Sequence, residues 1–133
     1  MAQDNPNYDA ALAKKLGADD YGMKSYVFCV LKTGTANITD AAKRNEIFAG
    51  HMKNIQKLAV EGKLVVAGPF ADGGDKRGLF IFNVATIEEA KALVETDPVI
   101  TSGMMVYELT KWYGSAALPE LAPIEKKIAK KSF

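Results

Sequence analysis

The chain has 133 residues, with 17 Lys and Arg against 16 Asp and Glu for a formal charge of +1, and 48% of its residues are hydrophobic. That is one ordinary globular domain, able to bury roughly two-thirds of its unfolded surface without a metal or disulfide staple. The near-neutral balance argues against disorder and against a basic nucleic-acid face, and a single cysteine, Cys29, rules out an intramolecular disulfide or a cysteine-rich zinc centre.

No stretch approaches the ~18 apolar residues of a membrane helix, and the start, Met-Ala-Gln-Asp-Asn-Pro-Asn, has neither the basic nor the apolar region of a leader. The expectation is a soluble, cytoplasmic protein with no membrane or nucleic-acid partner. It would be periplasmic or secreted if a leader had been removed. The sequon Asn37-Ile38-Thr39 matters only in a eukaryotic secretory setting.

Tyr8 to Gly17 reads as a short helix containing Ala10, Ala11, Leu12 and Ala13, with Gly17 as its stop. Met23 to Lys32 is the first strand, in which Tyr26, Phe28 and Val30 alternate with Val27, Cys29 and Leu31; Thr33-Gly34-Thr35 breaks it. A long helix follows from Thr39 or Asp40 to Gly62. Its apolar stripe is Ile47, Phe48, Met52, Ile55, Leu58 and Ala59, and His51 falls in the same stripe. Lys63 to Phe70 and Gly78 to Val84 read as a hairpin around the polar turn from Ala71 to Arg77. Thr86-Ile87-Glu88-Glu89 fits a capping box opening a second helix, which ends by Thr96, and Asp97-Pro98 punctuates that end. Met104 to Lys111 is the last strand. The tail after Trp112 carries Pro119 and Pro123, then a helical, lysine-rich end.

From Met23 onward the order is strand, helix, strand, strand, helix, strand, the split βαβ pattern of a ferredoxin-like α+β fold with a four-stranded antiparallel sheet. Two helices cover one face of such a sheet, yet Leu79 and Ile81 point one way and Phe80 and Phe82 the other. A sheet with one wet face would alternate apolar and polar instead. A second copy is the simplest cover, so a homo-oligomer is expected.

The lone histidine, His51, leads the candidates for chemistry, because imidazole is the side chain whose ordinary titration range brackets neutrality. It is either a satisfied core histidine or a general acid/base in a cleft between helix and sheet. His51 lies about 16 Å up its helix from Gly62, and Gly68 lies about 16–20 Å along the returning strand. Gly68-Pro69 should therefore be level with the imidazole, leaving room for a small ligand, unless the pair merely marks a bulge or strand end. Phe48, one turn away on the helix, joins this candidate pocket. Asp97 is either a helix stop or the carboxylate that orients His51. Asp72, in the hairpin turn, is the rival carboxylate, although aspartate is also an ordinary turn residue.

Gly73-Gly74-Asp75-Lys76-Arg77-Gly78 lacks the Gly-Lys-Ser/Thr of a phosphate loop. Cys29, mid-strand, reads as inert core and the lysine-rich tail as a solvated helix face. No carboxylate cluster suggests a metal, and nothing beyond His51 suggests haem, so no metal or cofactor is expected.

His51 in Gly-His-Met-Lys-Asn-Ile-Gln-Lys-Leu, the run Glu61-Gly-Lys-Leu-Val-Val-Ala-Gly-Pro-Phe70, the Gly78 strand, Ile87-Glu-Glu-Ala90 and Thr96-Asp-Pro-Val99 together resemble the YCII-related family. The resemblance covers roughly residues 23–113, leaving residues 1–22 as an N-terminal extension with a short helix and 114–133 as a C-terminal helical tail. It implies a ferredoxin-like protomer forming a dimeric α/β barrel around a His–Asp pocket. Within it His51 would be the acid/base group, Asp97 its partner ahead of Asp72, and Gly68-Pro69 the lining. It also implies a small cofactor-independent lyase or isomerase, dehydrochlorinase-like, acting on a small cyclic or aromatic substrate. The rival reading is a non-catalytic small-ligand-binding or structural oligomer.

Overall fold

The computed structural model describes residues 3–132. Met23–Thr33 forms β1, the strand around which the sheet is built. It pairs antiparallel with β3 (Lys76–Phe82) on one side and β4 (Met105–Ser115) on the other. β2 (Leu64–Pro69) adds to the outer side of β3, so the order is β2-β3-β1-β4. The chain is thus an α+β protein with a four-stranded antiparallel sheet.

Because β1 is central, both of its faces are apolar. Val27, Cys29 and Leu31 turn to the helices with Phe80, Phe82 and Leu64, and this is the main core. Over that face lie α2 (Ala41–Val60) and α3 (Ile87–Val94), with N-termini capped by Asp40 and Thr86. Asp40 Oδ1 accepts from Ala42 N at 3.0 Å and Thr86 Oγ1 from Glu89 N at 3.2 Å. The Thr86 hydroxyl in turn donates to Glu89 Oε1 at 2.9 Å, so the Glu89 carboxylate meets the side chain of the cap and not its backbone N–H, and one of the two bonds of the expected capping box is made. α2 buries Ile47 and Leu58, as its three-and-four spacing requires. No helix among the described residues is long and apolar enough to cross a membrane.

Two elements differ from the sequence reading. Asp97-Pro98 does not merely stop α3: it starts a further turn, α4 (Pro98–Thr101), with Asp97 as N-cap and proline in the first turn. β4 runs on to Ser115, past the expected end at Lys111, because the first residues of β1 need a partner: Met23 faces Ser115 and Tyr26 faces Trp112. Where β1 ends, Gly34 N donates to Met104 O at 2.8 Å, and a Cβ there would collide with the Gly103 carbonyl. Only glycine lets the two backbones approach so closely.

The opposite face carries Tyr26, Phe28 and Val30 from β1 and Leu79 and Ile81 from β3. Tyr26 and Ile81 are buried within the single chain; Phe28, Val30 and Leu79 are half-buried, and Trp112 and Val106 of β4 are exposed. The Trp112 ring lies 5.9 Å from that of Tyr26 and 6.4 Å from that of Phe28, while the Tyr26 hydroxyl donates to Ser115 O at 2.7 Å. The tail leaves β4 and, through a 3-10 turn (Leu118–Glu120) and α5 (Leu121–Ile128), reaches the far edge strand β2. At the other terminus α1 (Ala10–Leu16) buries none of its residues, and Lys15 lies 3.8 Å from Glu120.

Candidate active site

His51 sits at the middle of α2, on the stripe facing the sheet. Asp97 lies between α3 and α4, 46 residues further on. The fold brings them together: His51 Nδ1 and Asp97 Oδ2 are 2.6 Å apart. A carboxylate accepts only, so the ring hydrogen belongs on Nδ1 and the neutral imidazole keeps Nε2 as its acceptor. No hydrogen bond engages Nε2 among the described residues.

Asp97 is held from both sides. Its Oδ1 accepts from Val99 N at 3.0 Å as the N-cap of α4, while Oδ2 takes the imidazole. It is the one fully buried charged residue among those described, and its side chain is 1% exposed against 13% for His51. Burial of that kind is tolerated only when each oxygen has a donor.

Two aromatic rings flank the imidazole. Phe80 of β3 lies 6.1 Å away at 31°, and Phe48, one turn earlier on α2, meets it edge-on at 6.4 Å. Below them the Cys29 thiol is pushed up to about 12, first by burial and then by the negative charge of Asp97. The Tyr107 hydroxyl donates to Glu95 Oε1 at 2.7 Å. That bond, then burial, raises it to about 12, so it acts as a donor and not as a phenolate. Cys29 is therefore neither nucleophile nor ligand: a thiol reagent at pH 8 is expected to leave the native protein unlabelled and to modify one thiol after unfolding. The folded state keeps the thiol proton that the unfolded chain loses above about pH 9, so this contribution is complete below that pH and lost toward pH 12.

The remaining sequence candidates lie elsewhere. Asp72 is in the exposed hairpin turn, where its Oδ1 accepts from Gly74 N at 3.3 Å. Gly68 pairs with Leu79, whereas Ala67 pairs with Phe80. Opposed residues share a face, so Ala67 is on the imidazole's side and Gly68 is turned away, where a Cβ would meet nothing. The height estimate thus lands one residue out, and one residue is a change of face. Pro69 returns to the helix side, exposed at the strand end.

A surface cleft of about 370 Å³ lies beside the pair, lined by Gly50, Lys53, Asn54 and Lys57 of α2 and by Thr96 and Pro98. Gly50 and Pro98 are the chain neighbours of His51 and Asp97, but neither member of the pair lines the cleft. Sequence reasoning missed it, because its second wall is α4. The signal for that turn, an N-cap aspartate before a proline, was present. No group of three or more His, Cys, Asp and Glu able to hold a metal occurs among the described residues.

Comparison with known proteins gives three findings. An uncharacterised protein of Bacillus subtilis (strain 168), YjpA, is 27% identical over 90 residues, which is 68% of this chain and 95% of YjpA. Among solved structures, 5-chloro-2-hydroxyhydroquinone dehydrochlorinase from Burkholderia phenoliruptrix AC1100, in complex with 2,5-dihydroxybenzoquinone, superposes with a TM-score of 0.48 at 21% identity. That superposition covers 65% of this chain and 92% of the other. The family model for the YCII-related domain matches residues 25–113, from the first strand through the last, and the chain belongs to that family.

Proposed function

We propose that the chain is a small cofactor-independent enzyme of the lyase or isomerase type, in which His51 moves a proton and Asp97 holds the imidazole in the working tautomer. The observation that carries this reading is the 2.6 Å bond from the ring to a fully buried carboxylate, with Nε2 left unspent between two aromatic rings. In the forward step Nε2 takes a proton from a carbon acid beside a carbonyl; the C–H electron pair forms a C=C bond to the carbonyl carbon and the C=O π pair moves to oxygen, giving an enolate. The enolate then collapses to restore the C=O, either expelling a leaving group with its own electron pair from the β-carbon or taking the proton back at a different carbon. The imidazolium formed in between is stabilised by Asp97. The flanking Phe48 and Phe80 suit a small flat ring as substrate. The same reading gives the half-buried sheet face to a second copy in a dimeric barrel, and a monomer in sedimentation at micromolar concentration would remove that part.

A purely structural reading, or one of non-catalytic ligand binding, is favoured by the fact that neither His51 nor Asp97 lines the cleft. One experiment separates them. Cyclic ketones, hydroxylated rings and halogenated rings are incubated in D2O with wild type and with His51→Ala, and carbon-bound deuterium and halide release are followed. Wild type is expected to turn over a member of this panel, with the variant slower by about 10²-fold or more. Equal rates, or no wild-type turnover across the panel, would leave the structural reading standing.

A further inference from the structure

The cleft beside the pair has a chemistry of its own. Gly50, Lys53, Asn54 and Lys57 are spaced three and four apart, so they form one lengthwise stripe of α2. That stripe flanks the buried one containing Ile47, His51 and Leu58. The facing wall is Thr96 and Pro98. Gly50 sets the spacing between the walls, because a Cβ there would be 2.9 Å from Pro98 Cγ.

No carboxylate lines the cleft, and neither lysine has an ion-pair partner among the described residues. Asp97, the chain neighbour of Pro98, has both oxygens occupied by His51 and Val99. Two ammonium groups one turn apart repel each other, and no carboxylate of the lining relieves them. The third polar group adds a donor: Asn54 Oδ1 lies 3.3 Å from Thr96 Oγ1, whose single hydrogen goes to Leu93 O at 2.6 Å, and no bond among those described uses the Asn54 amide NH2. The rest of the lining is the Pro98 ring, the Gly50 backbone, the Thr96 methyl and the lysine stems, which are apolar.

We infer that this cleft binds a small organic carboxylate, its anionic end held by Lys53, Lys57 and the Asn54 amide and its apolar body laid on Pro98 and Gly50. Two ammonium groups with no carboxylate beside them oppose a cation. An apolar floor favours a ring or short chain over a fully hydrated inorganic ion, and about 370 Å³ is enough for a single ring. The inference goes beyond the acid–base reading and does not rest on it, because it concerns binding at residues outside the pair.

The test uses 15N-labelled protein titrated with benzoate, with benzyl alcohol as the uncharged match, following the amide signals of Gly50, Asn54 and Thr96. Benzoate is expected to saturate these shifts at millimolar concentration and benzyl alcohol to leave them unmoved. The double variant Lys53→Gln with Lys57→Gln should bind benzoate at least about tenfold more weakly, as loss of charge-assisted hydrogen bonds predicts. The control pair Lys126→Gln with Lys127→Gln, on α5, should bind as wild type does. Non-saturable shifts, equal binding by benzyl alcohol, or undiminished binding by the Lys53/Lys57 variant would each overturn the inference. All of these substitutions are on exposed lysines, so folding is not at issue.

Discussion

Replacing Asp97 by alanine is expected to cost about 3–5 kcal/mol of stability, a fall of about 10–20 °C in Tm for a chain of this size. Three losses add up at one position. The imidazole Nδ1 hydrogen loses its acceptor inside the protein, and an orphaned buried donor costs about 1–3 kcal/mol. α4 loses the N-cap bond to Val99 N, worth about 1 kcal/mol. The removed carboxylate also leaves a void beside Val94 and Val99, which are both fully buried. Asp97→Asn keeps the shape and an oxygen for Val99, so its cost should be about 1–2 kcal/mol. Urea unfolding of the two variants checks the ordering. An unchanged midpoint for the alanine variant would mean that the pair contributes nothing to holding α4 in place.

Phe80→Ala should cost a similar amount, about 3–5 kcal/mol, for a different reason. Phe80 is 4% exposed, meets the Phe82 ring at 5.6 Å and 61°, and forms one wall beside His51. Its removal leaves a ring-sized apolar void next to the imidazole, between β3 and α2. Such voids stay dry and take up apolar rings, so indole or benzene should restore part of the lost Tm in proportion to its concentration. Phe28→Ala, on the half-buried opposite face, should cost less and show no rescue. Calorimetry with and without indole reads both effects, and equal losses at Phe28 and Phe80 would contradict the core assignment.

The elements were legible where one periodicity ruled. α2 could be read from Ile47, Phe48, Ile55 and Leu58 alone, and its ends from Thr39 or Asp40 and from Gly62; the caps are Asp40 and Glu61. The neutral core role of Cys29 followed from its place in an alternating strand. The partner of His51 was not legible in the same way. Asp97 and Asp72 were both acids at chain reversals, and only the path of α3 over the sheet, a tertiary matter, brings one of them under α2. Gly68 shows the limit from the other side. Adding helix rise to strand rise located the right level, but the irregular register between Leu64 and Val66 decides which face each residue takes. Nothing in the sequence singles out Lys53 and Lys57, because the wall they face lies about 40 residues further on.

The place of β1 in the sheet also sets an order of events for a chain made from its N-terminus. β1 emerges from the ribosome first among the strands, yet its neighbours come much later: Phe28 pairs with Ile81, 53 residues on, and with Thr110, 82 residues on. Until β3 emerges the apolar faces of β1 have no strand partner, and only the helices α1 and α2 can form from local contacts. Closing loops of this length is an entropic cost met before any pairing repays it, which slows folding and leaves an interval open to aggregation. β4 ends that interval, docking along the whole length of β1 as the last strand translated. Asp97 shortly precedes β4, so the contact with His51 and the completion of the sheet belong to the same stage of folding.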